Sequence, residues 1–96
     1  MAQQYIGTAR WGTKQSKPYS GTAGTIDNVI STGVQKIRIL VTTDAYVYVA
    51  DGTASTSALG TYVPALSPEY VTCSSGQKVS AVKVSTDGTL EVTECL

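Results

Sequence analysis

The chain has 96 residues, with seven basic and seven acidic side chains, no histidine, no phenylalanine and a formal net charge of zero. A chain of this length forms one domain that buries only about 60 to 65 % of the surface its unfolded form exposes, so further copies of itself or a large partner would add to its stability. Without histidine there is no imidazole base or zinc ligand, and no apolar run approaches the roughly 20 residues that a membrane-crossing helix needs.

Thr, Ser, Val and Gly dominate, which points to an all-β fold: a single small β-sandwich or barrel of about seven antiparallel strands, residues 24–96, preceded by an extended N-terminal arm, residues 1–23. The arm opens M-A-Q-Q-Y-I-G-T-A-R, without the apolar stretch and cleavage site of a secretory signal, so synthesis and assembly in a cytoplasm are expected. A short strand is possible at Gln4 to Ala9. Beyond it no period of 2 or 3.6 is sustained, and Tyr5, Ile6, Trp11 and Tyr19 cannot share one side of a regular element. Arg10, Lys14 and Lys17 precede the first acid, Asp27, so the first 26 residues carry +3 and the rest −3. The arm therefore reads as a docking segment, with Tyr5, Trp11 and Tyr19 as anchors and the three cations steering it.

Gly24 to Thr32 reads as a strand with Ile26 and Ile30 in register and Val29 out of it, which calls for either a bulge near Asp27-Asn28 or burial on both faces near one end. Val34 to Ala50 is the densest run of β-branched and aromatic residues, and it reads as a central hairpin with Thr43, Asp44 and Ala45 as the loop. That register sets Val41 opposite Val47, Ile39 opposite Val49 and Leu40 opposite Tyr48, leaving Leu40, Tyr46 and Tyr48 on one face with Arg38 as a second candidate docking surface.

From Ala50 to Tyr62 the small polar residues and two glycines predict a long surface loop, followed by a short strand at Leu59 to Val63 that Pro64 stops. After the Pro64 to Pro68 bend come a strand at Glu69 to Cys73 and a turn at Ser74-Ser75-Gly76. Lys78 to Ser85 and Thr89 to Cys95 flank Thr86-Asp87-Gly88, the pattern of a type I turn closed by a glycine at positive φ. The resulting hairpin would set Val84 against Leu90 and Val82 against Val92 on the inner side, with Lys83 against Glu91 and Val79 against Cys95 on the outer.

Candidate chemistry is sparse. Asp44, Asp51 and Asp87 sit where aspartate caps nearby backbone amides, the glycines form no phosphate-binding loop, and no calcium loop occurs. Cys73 and Cys95 lack CxxC spacing and read as small buried hydrophobes with free thiols. Arg10, Trp11, Lys14 and Lys17 interleave cations with an aromatic as single-strand binders do, but three cations neutralise too few phosphates, so nucleic acid is not an expected partner. No catalytic residue, cofactor or metal is expected.

The stretch A-Y-V-Y-V-A, the small-residue loop, T-Y-V-P-A-L-S-P-E-Y-V and S-G-Q-K-V-S-A-V-K-V-S-T-D-G-T-L-E-V-T-E together resemble small all-β structural proteins of tailed bacteriophages encoded with head genes. The resemblance covers the chain from Ala45 onward and leaves the arm outside it. It implies a virion component on the capsid surface, a head decoration or cement protein, with the major capsid protein and further copies of the chain as partners, a trimer being favoured. A tail or head-tail connector subunit is the alternative within virions. A carbohydrate- or surface-binding β-module using Tyr46, Tyr48 and Tyr62 is the alternative outside them.

Overall fold

The computed structural model describes residues 10–96. They form eight strands: β1 (Trp11–Tyr19), β2 (Gly24–Thr25), β3 (Lys36–Val41), β4 (Ala45–Ala50), β5 (Thr61–Val63), β6 (Glu69–Thr72), β7 (Lys78–Lys83) and β8 (Gly88–Cys95). All pairings are antiparallel, in two four-stranded sheets: sheet A in the order β1-β8-β3-β6, and sheet B in the order β2-β7-β4-β5. The fold is a small β-sandwich, as the composition implies.

Period-two alternation makes the core. In β3, Ile37, Ile39 and Val41 are buried while Lys36, Arg38 and Leu40 lie on the other face. The same alternation buries Ala45 and Val47 from β4, and Leu90 and Val92 from β8, while β7 contributes Val79 and Ala81. Ile26 and Ile30 join this cluster, and Val29 stays half exposed. Each fully buried aliphatic side chain contributes about 1.5–3 kcal/mol, so this interior, not the surface ion pairs, holds the fold together. β2 is shorter than the strand expected at Gly24 to Thr32. Hydrogen bonds to the β7 side continue on both sides of Asp27-Asn28: before them the Ile26 amide donates to the Val79 carbonyl, and after them the Ile30 amide donates to that of Gln77.

Neither expected hairpin forms. β3 pairs with β6 and β8, and β4 with β5 and β7, so the run Val34 to Ala50 spans both sheets and Thr42 to Asp44 crosses between them as an arch. Ile39 lies beside Val92 and Glu69, Val47 beside Ala81 and Thr61, and Val49 beside Val79. Leu40 therefore faces outward from sheet A, and Tyr46 and Tyr48 outward from sheet B, on opposite sides of the molecule. The second arch is Val84 to Asp87: β7 lies in sheet B and β8 in sheet A, so the pairs expected across the terminal hairpin are absent. Lys83 instead binds Asp87 at 3.1 Å, and Glu91 binds Lys14 at 3.0 Å. Alternating apolar residues satisfy two facing sheets as well as two strands of one sheet, and the sandwich buries both apolar faces where a lone hairpin would expose one.

Much of the expected arm belongs to the body. Residues 11–19 run as β1 along β8, from Trp11 beside Cys95 to Tyr19 beside Gly88, with a register shift between Trp11 and Lys14. An edge strand needs only backbone hydrogen bonds to its neighbour, so it forms without hydrophobic alternation and tolerates Pro18. The strand considered at Gln4 to Ala9, and Tyr5 with it, lies outside the described residues.

The two long sides of the sandwich differ. On the β1/β2 side, Lys17 binds Asp27 at 2.8 Å, and the Gln15 carboxamide donates to the Asn28 carbonyl and accepts from its amide, both at 3.0 Å. The side between β5 and β6 has no such closure among the described residues and opens into a cavity of about 420 Å³.

Candidate docking face

The outer face of sheet A carries the most prominent aromatic exposure. β3 presents Lys36, Arg38 and Leu40 outward because Ile37, Ile39 and Val41 take the core positions, and antiparallel register then selects their neighbours. Arg38 lies beside Thr93 of β8 and Tyr70 of β6. Trp11 enters at the start of β1, and the Arg38 guanidinium carbon sits 5.8 Å from the centre of its ring. The result is a row, Trp11, Arg38 and Tyr70, across four strands, with Trp11 67 % and Tyr70 47 % exposed. A cation over an indole in water contributes about 0.5–1 kcal/mol, enough to hold the ring in place without covering it. Leu40, two residues from Arg38 on the same face, and the Lys14–Glu91 pair border the row.

The expected docking residues divide. Trp11, Lys14 and Leu40 lie on this face, and Arg10 adjoins it, its carbonyl accepting from the Leu96 amide at 2.7 Å. Lys17 is turned to Asp27, whose carboxyl it holds below the usual range by a hydrogen bond and by its charge. Tyr19 is buried. Its hydroxyl donates to the Thr43 carbonyl at 2.5 Å and accepts from the Thr43 amide, so it plugs the end of the core and presents no ring to a partner.

Tyr46 and Tyr48 occupy the outer face of sheet B, which the loop after β4 partly covers. Within that loop Ser55 is buried, its amide donating to Ser80 Oγ at 2.9 Å and its hydroxyl to the Tyr46 carbonyl at 2.8 Å. The Tyr46 and Tyr62 rings meet edge to face at 6.1 Å. Tyr62 donates to Asp44 Oδ2 and the Ala65 amide to Asp44 Oδ1, both at 2.8 Å. The Ala65 bond, then the Tyr62 bond, hold the Asp44 carboxyl low, and the same contact raises the Tyr62 hydroxyl. Asp44 thus caps a backbone amide as expected, on a distant loop and not its own.

Tyr70 was not among the expected docking residues, and Arg38 was expected only to share the face of Leu40, Tyr46 and Tyr48. The one available signal for Arg38 is a cation inside an aliphatic run, I-R-I, which must face outward. Nothing local marks Tyr70, whose place beside Arg38 comes from the β3–β6 pairing. Among the described residues no three of His, Cys, Asp and Glu gather as a metal-holding group. Comparison with known proteins finds no matching family model, no matching curated protein and no matching solved structure.

Proposed function

We propose that this chain is a non-catalytic structural protein of a tailed-bacteriophage virion, a head decoration protein that sets the outer face of sheet A against the major capsid protein. The observation that carries the reading is the Trp11, Arg38 and Tyr70 row. These are the residue types that dominate binding energy at protein interfaces, here set on one sheet face with Trp11 and Tyr70 exposed and Arg38 half-buried between them. The resemblance of the chain from Ala45 onward to phage structural proteins supplies the class of partner. A protein that binds the assembled shell and not free subunits stabilises the shell by mass action, so the mechanism needs buried area and no chemistry.

Co-sedimentation with capsid shells that lack the protein tests this. Trp11→Ala and Tyr70→Ala should each weaken binding by about 2 kcal/mol, roughly thirtyfold in Kd, while the melting temperature stays within about 2 °C, because both rings are exposed. Full occupancy by both variants would reject this face. Absence of binding by the unaltered chain would reject the decoration role.

A further inference from the structure

The chain contains two aspartate-glycine steps, Asp51-Gly52 and Asp87-Gly88, and the fold treats them differently. At such a step the glycine main-chain nitrogen can attack the aspartate side-chain carboxyl carbon. A C–N bond closes a five-membered imide, and the carboxyl hydroxyl leaves with the amide proton as water. Water then opens the ring at either carbonyl: one opening restores aspartate, and the other leaves the main chain running through the side chain as isoaspartate. The product is an isomer, formed without oxidant, reductant or cofactor. Closure needs an unshielded amide, which glycine supplies because it has no Cβ, and a backbone free to rotate on either side of the step.

Asp51-Gly52 meets both conditions. It follows β4 directly, both residues are exposed, and no hydrogen bond holds the Gly52 amide among the described residues. Gly52 sits at a φ of 107°, and a Cβ there would meet only Lys78 Cδ, at 3.8 Å, so the ground around the attacking nitrogen is open. The Thr53 hydroxyl donates to Asp51 Oδ1 at 2.9 Å, which turns the carboxyl toward the residues that follow it and draws electron density from the carbon to be attacked. Asp87-Gly88 is held on every side. Lys83 binds Asp87 Oδ1 at 3.1 Å, Gly88 pairs with Tyr19 of β1, and the Thr89 amide donates to Thr42 Oγ1. Closing an imide there means rotating the start of β8 out of its sheet, a local opening that cuts the rate by the fraction of chains that are open.

We propose that Asp51 is a site of spontaneous modification, converting to isoaspartate in the native protein while the fold protects Asp87. The product adds one methylene to the main chain between the Ala50–Lys78 pair and Ser55, whose amide and hydroxyl bind Ser80 and Tyr46. It therefore slackens the tether of the loop over the outer face of sheet B. The Trp11, Arg38 and Tyr70 row lies on the other sheet, so the modification is independent of any capsid.

The test incubates the folded full-length protein in heavy-oxygen water at mildly acidic pH, where each imide opening fixes one heavy oxygen. After return to ordinary water, trypsin puts the two steps on separate fragments, 39–78 and 84–96, because Arg38, Lys78 and Lys83 bound them. Mass spectrometry with electron-transfer fragmentation should find label and isoaspartate accumulating in 39–78 at least about tenfold faster than in 84–96. In strong denaturant the two rates should come within about threefold of each other, since no opening step then separates them. Asp51→Glu, which could close only a six-membered imide, should abolish the gain in 39–78 with an unchanged melting temperature. No label in 39–78 of the native protein, equal labelling of both fragments, a difference that persists in denaturant, or label in 39–78 after Asp51→Glu would each overturn the proposal.

Discussion

At Gly88 the side chain is missing for a reason of space, not of backbone angle. Glycine in a type I turn with a bulge would sit at positive φ, but the positive-φ glycines among the described residues are Gly33, Gly52 and Gly76, and Gly88 opens β8 in ordinary strand geometry. A Cβ at Gly88 would run into Thr43 Oγ1, the Tyr19 hydroxyl and Thr42 Oγ1. Gly88→Ala should therefore cost about 1–3 kcal/mol, whereas Thr86→Ser should be nearly neutral. The cost should shrink in a Tyr19→Phe background, where one obstructing oxygen is gone; urea denaturation of the four chains reads the coupling, and strict additivity would refute the steric cause.

The cysteines are a second case in which neighbours decide. Both are buried and free, and they flank β3 from opposite sides: Cys95 pairs with Lys36, and the Cys73 amide donates to the Gln35 carbonyl. That separates them by two strand spacings, roughly 10 Å, beyond the reach of a disulfide. Burial, then the nearby Glu94 carboxylate and Cys95, push the Cys73 thiol up, which lowers its reactivity further. Thiol titration should find no rapidly reacting group in the native protein and two after denaturation without reductant.

Among elements, the two arches matter most, because they are tied to each other. The Thr43 hydroxyl donates to the Thr86 carbonyl at 2.8 Å, the Thr89 amide to Thr42 Oγ1 at 2.8 Å, and the Val84 amide to the Asp44 carbonyl at 3.2 Å. Asp44 also holds the β5–β6 loop through Ala65 and Tyr62, in a segment where Leu66 sits at a φ of 60°. Non-glycine residues in that region cost of order 1–3 kcal/mol unless their surroundings hold them. Because the folded carboxyls of Asp44 and Asp27 are low, the unfolded chain binds more protons as the pH drops toward 4 and below. Their contribution is complete above the unfolded pKa and is lost as pH falls through the folded one. Asp44→Asn should therefore flatten the fall in the urea midpoint between about pH 5 and pH 2.5, and an unchanged slope would show that Asp44 does not restrain the loop.

For the whole molecule, charge is distributed differently from the sequence totals. The arm's +3 would have made binding to an acidic surface strongly salt-dependent, but Lys14 and Lys17 are engaged by Glu91 and Asp27 of the same chain. Docking through Trp11, Arg38 and Tyr70 should accordingly lose less than about threefold in affinity between roughly 50 and 500 mM salt, since exposed ion pairs and distant charges are screened while buried area is not. Binding curves on the capsid shells at several salt concentrations measure it, and a loss of tenfold or more would point to an electrostatic interface.

The sequence by itself determined the fold class, most strand positions, and the inward side chains of β3, β4 and β8, because alternation and turn residues are local signals; in β7 it turned Val82 inward and Val79 outward, whereas Val79 and Ala81 are the buried ones. Ile37, Ile39, Val41, Leu90 and Val92 are inward on any reading of their strands. Only the tertiary structure decided which strands are neighbours. In K-I-R-I-L-V-T-T-D-A-Y-V-Y-V the same pattern fits a hairpin and an arch, since facing sheets and paired strands both ask for apolar residues at every second position. That choice sent Leu40 and Tyr46 to opposite sides, brought Tyr70 beside Arg38, turned Tyr19 into core, and left the β5/β6 side of the sandwich without closure among the described residues. Such pairings are settled by burying every apolar face of the chain at once, a condition that no single stretch of sequence contains.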